Sequence, residues 1–291
     1  MAATEIKAFG DLDAPDLYYQ FYSNLYGDRK GTMVPFSFRL LAAEIPAYNN
    51  QINETQDKLC QLLAKVRRIN KEIEQFYDGN MNEHDKVLAA KLWAGREVQV
   101  INSLINCALM KKDFHNAIHL LEQQLLRDTS KSEKSELYSS LGRVYLHLGD
   151  VHRAQRSFNS ASQLREGSTP KDLVSGLVEN GLVAVAQNLF HEAHEFFTQA
   201  LTSDPDNSLL VNNAAVCLLY MGRMQESMML LEENLGIKPN AMINSSTVLN
   251  VCTLYELESS LTTQRKLGML RLASQWKNDN LSDKAFKLAL P

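Results

Sequence analysis

The apolar positions along this chain fall on the three-and-four spacing of amphipathic helices. Leu59, Leu62, Leu63, Val66, Ile69 and Ile73 make one such stripe. It predicts a long helix over 53–76, after a shorter one over 35–48. Towards the end of the chain the same spacing predicts helices over 247–257, 264–276 and 281–290. Near the start, the aromatic run from Asp16 to Tyr26 predicts a capping helix that stops at Gly27-Asp28. No run alternates as a strand, and even Leu182 to Ala186 continues a helical pattern, so the fold class is all-α.

Between about Glu97 and Asn240 the pattern repeats. Tyr138, Leu141, Gly142, Tyr145, Gly149, Ala154, Phe158 and Ala161 fall at the marker positions of the tetratricopeptide repeat, a helical hairpin of about 34 residues. Gly142 lets the first helix approach its neighbour, Gly149-Asp150 turns the chain, and Ala154 is small where the helices cross. A second copy carries Gly181, Ala193, Phe197, Ala200 and Pro205. A third has Ser227, Leu231 and Pro239, with Gly222 at its turn, and a degenerate copy with Leu104, Ala108, Ala117 and Leu121 precedes them. Ala193 follows Ala154 at more than one repeat length, which places an insertion at 166–170. The expected architecture is a tetratricopeptide-repeat (TPR) helical-hairpin solenoid. Its parts are an N-terminal segment with the aromatic capping helix over 1–30, a divergent hairpin over 31–96, the repeat array over 97–240 and capping helices over 241–291.

Composition narrows function more than fold. With 45% hydrophobic residues, 7 Pro and 13 Gly in 291 residues, the chain is neither low-complexity nor wholly disordered. Its 30 basic and 34 acidic residues create no general field for nucleic acid. Met1 to Asp13 lacks the apolar run of a signal peptide, and no stretch approaches the ~20 apolar residues of a membrane span, so neither secretion nor membrane insertion is expected. Cys60, Cys107, Cys217 and Cys252 form no CxxC pair and are expected to be reduced core thiols. The pairs His115/His119 and His191/His194 share helix faces but lack a third ligand in sequence, so no metal site is expected. With no GxSxG elbow, P-loop or GxGxxG motif, no catalytic residues and no cofactor are expected.

The informative surface is the concave one, lined by the first helix of each repeat. Its expected partner-binding groove comprises Val178, Leu182, Val185, Leu209, Asn212, Asn213, Val216, Leu219 and Tyr220. These mostly aliphatic side chains either meet a partner or are covered by the protein's own next helix. Cationic readers of a carboxylate are few, Arg143 among them, which argues against a chaperone-tail clamp. Tyr18, Tyr19 and Tyr22 form a second contact candidate, since Tyr is enriched at interfaces. Lys65, Arg67, Arg68 and Lys71, diluted by Glu72 and Glu74, suit a solvated helix face.

Several stretches are distinctive beyond generic repeats. They are Phe190-His191-Glu192-Ala193-His194-Glu195-Phe196-Phe197, Asp204-Pro205, Asn212-Asn213-Ala214-Ala215-Val216-Cys217-Leu218-Leu219-Tyr220, Leu254-Tyr255-Glu256-Leu257-Glu258-Ser259-Ser260 and Met33-Val34-Pro35-Phe36-Ser37. Through them the chain resembles the subunit-twelve family of the metazoan transport protein particle (TRAPP) complex. Lys65 to Lys91 follows that family loosely, and the long acidic N-terminal extension of its mammalian members is not in this sequence. The resemblance implies a non-catalytic scaffold in a complex that tethers vesicles and promotes nucleotide exchange on Rab GTPases in endoplasmic reticulum-to-Golgi traffic. Its implied partners are other TRAPP subunits, the large peripheral ones first, with no nucleic acid and no direct membrane insertion. The implied location is cytoplasmic, peripheral to Golgi and intermediate-compartment membranes. A stand-alone TPR peptide-binding adaptor or co-chaperone is the alternative.

Overall fold

The computed structural model describes residues 2–75, 83–127, 130–165, 169–258, 261–276 and 281–288. The chain forms two compact units, Met1–Asp128 and Thr129–Pro291.

In the first unit, α1 (Ala2–Ala8) is followed by two 3-10 turns, Pro15–Leu17 and Tyr19–Tyr22, and by the short α2 (Ser23–Tyr26). The expected capping helix over the aromatic run is therefore not formed. Pro15 opens a tight turn, and Tyr18 pairs with Thr32 in an antiparallel bridge. Tyr19 N donates to Gly31 O at 3.0 Å and Met33 N to Leu17 O at 2.8 Å. These bonds use backbone groups that a continuous helix would have paired internally. After it come α3 (Phe36–Tyr48), α4 (Ile52–Gln75), α5 (Glu83–Met110) and α6 (Phe114–Leu125), each packed on the next, with α1 on α3. The expected α4 stripe faces inward: Leu59, Leu62, Leu63 and Val66 are buried. Phe76, the last residue of the expected helix, lies outside the described residues.

The expected boundary at 96/97 falls inside α5. Glu97, at that position, ties α5 to its neighbours on both sides. Its carboxylate accepts from Arg67 Nε at 3.0 Å and Asn70 Nδ2 at 3.1 Å on α4, and from Arg127 Nη2 at 2.5 Å beyond α6. Burial raises the Glu97 pKa, but the bonds from Arg67 and Arg127 outweigh it, and the net shift is downward from 4.5. A carboxyl group whose folded-state pKa is depressed adds stability that is fully present above its unfolded pKa and is lost as pH falls through the folded-state pKa. The first unit is therefore expected to weaken as pH drops from about 5 towards 3. Replacing Glu97 by Gln should flatten that part of a melting-temperature profile, and an unchanged profile would contradict this role.

The second unit contains α7 (Lys131–His147), α8 (Val151–Leu164), α9 (Pro170–Ala186), α10 (Phe190–Ser203), α11 (Ser208–Tyr220), α12 (Met224–Ile237), the short α13 (Pro239–Met242), α14 (Ser245–Glu258) and α15 (Thr262–Gln275). The hairpins α7–α8, α9–α10 and α11–α12 stack in sequence. Of the expected insertion at 166–170, residues 166–168 lie outside the described residues, while Thr169 caps α9 by accepting from Asp172 N at 3.2 Å.

One turn recurs five times among the described residues. Asn50, Lys112, Gly149, Asn188 and Gly222 all have φ between 59° and 78°. Behind each, the next amide, of Gln51, Asp113, Asp150, Leu189 or Arg223, donates to the carbonyl of Pro46, Ala108, Tyr145, Ala184 or Leu218 at 2.8–3.0 Å. This is the glycine-favouring helix stop, and it hands directly to the next helix. Asp113 and Asp150 then use their side chains to cap α6 and α8.

Crossing positions match small residues to large ones. A Cβ added to Gly142 would lie 2.4 Å from Phe158 Cε1, and one added to Gly181 would lie 2.7 Å from Phe197 Cε1. In the next hairpin Ala215 and Leu231 occupy the corresponding positions, both buried. Ala117, Ala154 and Ala193 are fully buried. Ser227 stands in their place in α12 and donates its hydroxyl to Ala215 O at 2.7 Å.

The expected helix over 281–290 is instead a 3-10 turn, Asp283–Phe286, on α14 and α15, with residues 289 and 290 outside the described range. Lys287 turns left-handed with φ 48°. Its carbonyl accepts from the buried Lys266 Nζ at 3.0 Å, which also donates to Glu256 at 2.5 Å. Ala285 and Phe286 complete the core around Val248, Val251 and Met269. Among the described residues no helix is long and apolar enough to cross a membrane.

Candidate functional site

In the second unit a cavity of about 490 Å3 opens where α7, α9 and the start of α11 meet. Val174, Val178 and Leu209 give it an apolar side, and Ser139, Arg143, Lys171 and Glu179 a polar one. A second cavity of about 800 Å3 shares Ser139, Arg143, Lys171 and Ser175 and continues along Ser130, Ser135 and Ser140. Together they form a groove whose polar share exceeds what the aliphatic stripe alone suggested.

The expected groove residues do not all meet in it. Val178 and Leu209 line the first cavity, and Leu209 is 53% exposed. Leu182 and Val185 are half-buried against the core around Phe197 and Leu210, and Leu219 packs against the next core, around Val251 and Leu254. Val216 and Asn213 are half-buried. Asn212 Oδ1 accepts from Asn250 Nδ2 of α14 at 2.8 Å, so the following helix covers part of the stripe. Tyr220 is exposed at the end of α11 and stacks on Phe190, with 4.6 Å between centroids.

Beneath the groove lies a buried ion pair that sequence patterning did not reveal. Arg165 and Glu179 have side chains 10% and 5% exposed. Arg165 Nη1 donates to Glu179 Oε2 at 2.8 Å, Nη2 donates to Oε1, and Ser139 Oγ donates to Oε1 at 2.6 Å. This fork fixes the end of α8 to the middle of α9, and α7 joins through Ser139. The one signal in sequence is an acid interrupting the apolar run Leu177-Val178-Glu179-Asn180-Gly181-Leu182.

In the first unit, Tyr18 and Tyr19 are half-buried and Tyr22 exposed. Tyr19 meets Tyr26 edge-on at 5.1 Å and lies under Arg29 at 4.1 Å, so part of this aromatic surface is spent internally.

The histidine pairs are dispersed. His115 is exposed, His119 meets Gln123 at 2.8 Å, and His191 meets Glu195 at 3.5 Å. Burial and the charge of Arg223 hold His194 below the usual imidazole range. Among the described residues no group of three or more His, Cys, Asp or Glu side chains could hold a metal ion. Cys107, Cys217 and Cys252 are buried, and burial raises the Cys217 thiol to about 11. Cys60, expected in the core, is exposed instead, because the α4 stripe turns its neighbour Leu59 inward.

The family model described as coatomer epsilon subunit matches residues 48–285. The chain belongs to the coatomer epsilon subunit family. It is 26% identical over 153 residues to coatomer subunit epsilon-1 of Arabidopsis thaliana, an alignment covering 52% of this chain and 49% of that protein. It is also 34% identical over 296 residues to trafficking protein particle complex subunit 12 of Homo sapiens. That alignment covers 99% of this chain and 40% of the human protein, so the resemblance to the subunit-twelve family holds. The chain spans about 40% of the length of that relative. Among solved structures, a tetratricopeptide repeat protein from Parabacteroides merdae has a TM-score of 0.52 at 11% identity, over 87% of this chain and 97% of that one. At that identity the likeness concerns the fold alone, and it agrees with the all-α repeat architecture of this coatomer epsilon family member.

Proposed function

We propose that this coatomer epsilon family member is a non-catalytic scaffold subunit of a TRAPP-type complex, which tethers vesicles and promotes nucleotide exchange on Rab GTPases in endoplasmic reticulum-to-Golgi traffic. The observation that carries the reading is the 34% identity to human TRAPP subunit 12 over nearly the whole chain. The groove of the second unit suits the role, because it offers the exposed aliphatic side chain of Leu209 beside the polar side chains of Arg143 and Lys171. It contacts another TRAPP subunit, the large peripheral ones being first in line. The protein then works in the cytoplasm, held peripherally on Golgi and intermediate-compartment membranes by its partners. A subunit of a vesicle coat is the second reading, favoured by the family match.

Leu182 and Leu219 lean on cores, so charging them would unfold the repeats. Leu209 is the informative position. Leu209→Asp is expected to keep the wild-type melting temperature and helical content while lowering co-purification of the large TRAPP subunits by about tenfold, since burying one such side chain is worth roughly 1.5–3 kcal/mol. Recovery of those subunits at the wild-type ratio would move the contact away from this groove.

A further inference from the structure

The first unit holds a cavity of about 550 Å3 between the segment at 31–35, the start of α3, α4 and α5. Its wall sets four cationic side chains, Arg39, Lys65, Arg68 and Arg96, against one carboxylate, Asp13. Between them lies an apolar floor of Val34, Leu62, Val66, Ile69 and Trp93. Lys65 and Arg68 belong to the cluster that sequence patterning assigned to a solvated face. In the structure both border a pocket of the size that holds ligands, roughly 300–1,000 Å3.

One end of this cavity already holds an acid. Asp13 Oδ1 accepts from Arg39 Nη1 at 2.6 Å, and Oδ2 accepts from Lys65 Nζ. The preceding carbonyl, of Leu12, accepts from Arg39 Nη2 at 2.7 Å. The bond from Lys65, with that from Arg39, pulls the Asp13 carboxyl below the usual carboxylate range. At the other end no acid lines the cavity among the described residues. Arg96 stacks 4.3 Å over Trp93 and 5.0 Å over Phe36, and among the described residues no carboxylate pairs with it. Among the described residues Arg68 pairs with Glu72, at 3.6 Å, with both side chains mostly exposed. Arg39 Nε is buried with no acceptor. A guanidinium held between rings and short of counter-charge is costly unless an anion arrives.

We propose that this cavity binds an acidic peptide segment of a partner protein, with a carboxylate against Arg96 and Arg68 and an apolar side chain on Leu62, Val66, Ile69 and Trp93. Two observations select a peptide over a compact anion. The occupied end is filled by a carboxylate and a backbone carbonyl from successive residues, the way a peptide presents them. The apolar floor between the cations gives a phosphate ion or a lipid head group nothing to cover it.

The test is isothermal titration calorimetry on the full chain with the capped hexapeptide EDLEFD, its amide counterpart QNLQFN, inorganic phosphate, and phosphatidylserine–phosphatidylcholine vesicles. The acidic peptide is expected to bind, at least roughly tenfold more tightly than the amide, as charge-assisted hydrogen bonds require, and to weaken as salt rises. Arg96→Gln is expected to lose about tenfold in affinity at an unchanged melting temperature. Should Arg96→Gln lower that temperature through its lost ring contacts, Arg68→Glu, on the exposed rim, decides the matter with the same expected loss. Equal binding of the two peptides, no heat with the acidic one at millimolar concentration, wild-type affinity in Arg68→Glu, or binding of phosphate or vesicles in place of the peptide would each overturn the proposal.

Discussion

Arg165→Ala is expected to destabilise the second unit by about 3–5 kcal/mol, the usual cost of removing one member of a buried ion pair. Glu179 would stay buried with only Ser139 Oγ, at 2.6 Å, to solvate its charge. The size of the effect comes mainly from that stranded carboxylate, not from the attraction lost. Replacing both members, Arg165→Met with Glu179→Leu, should therefore recover most of the loss, because neither charge is then desolvated. Urea denaturation followed by circular dichroism measures both, with the midpoint moving and the slope unchanged if the folded state alone is affected. An Arg165→Ala midpoint equal to that of the wild type would mean that water reaches the pair.

Phe158→Ala should cost a similar amount, about 3–5 kcal/mol, since the ring is 4% exposed and its removal opens a cavity between α7 and α8. Gly142→Ala is expected to cost about 1–3 kcal/mol for the opposite reason, crowding. Its new methyl would start 2.4 Å from the Phe158 ring. The two effects share one space, so the double variant should fall short of the sum of the single ones by about 1 kcal/mol. Additive losses in the same denaturation experiment would show that the glycine and the ring act independently.

The hairpins of the second unit were legible in the sequence because their packing is local and periodic. A glycine or alanine opposite a large apolar residue, a small residue at the crossing and a left-handed turn recur at fixed offsets within each copy. The N-terminal segment was not legible in this way. Its aromatic density resembles a helix face, but the bridge from Tyr18 to Thr32 joins residues that no helical period relates. At the other end, Lys266 draws the Lys287 carbonyl out of helical geometry, and no local propensity announces that long-range bond.

The groove was half legible. Its aliphatic stripe follows from the register, yet Leu182, Val185 and Leu219 lean into cores, Val178 divides its surface between a core and the cavity, and Leu209 is left exposed at the cavity. The Arg165–Glu179 pair escaped because an insertion separates its members, so no repeat offset connects them. The first unit's cavity escaped as well, since its cations come from three separate elements and only the folded chain brings them to one apolar floor.

The measurement closest to the central claim is native mass spectrometry of the assembly recovered through an affinity tag on this chain, from the cells in which it is normally made. The account predicts a complex in which the chain sits at fixed stoichiometry with TRAPP subunits. Recovery of the chain alone, or with coatomer subunits in their place, would contradict it.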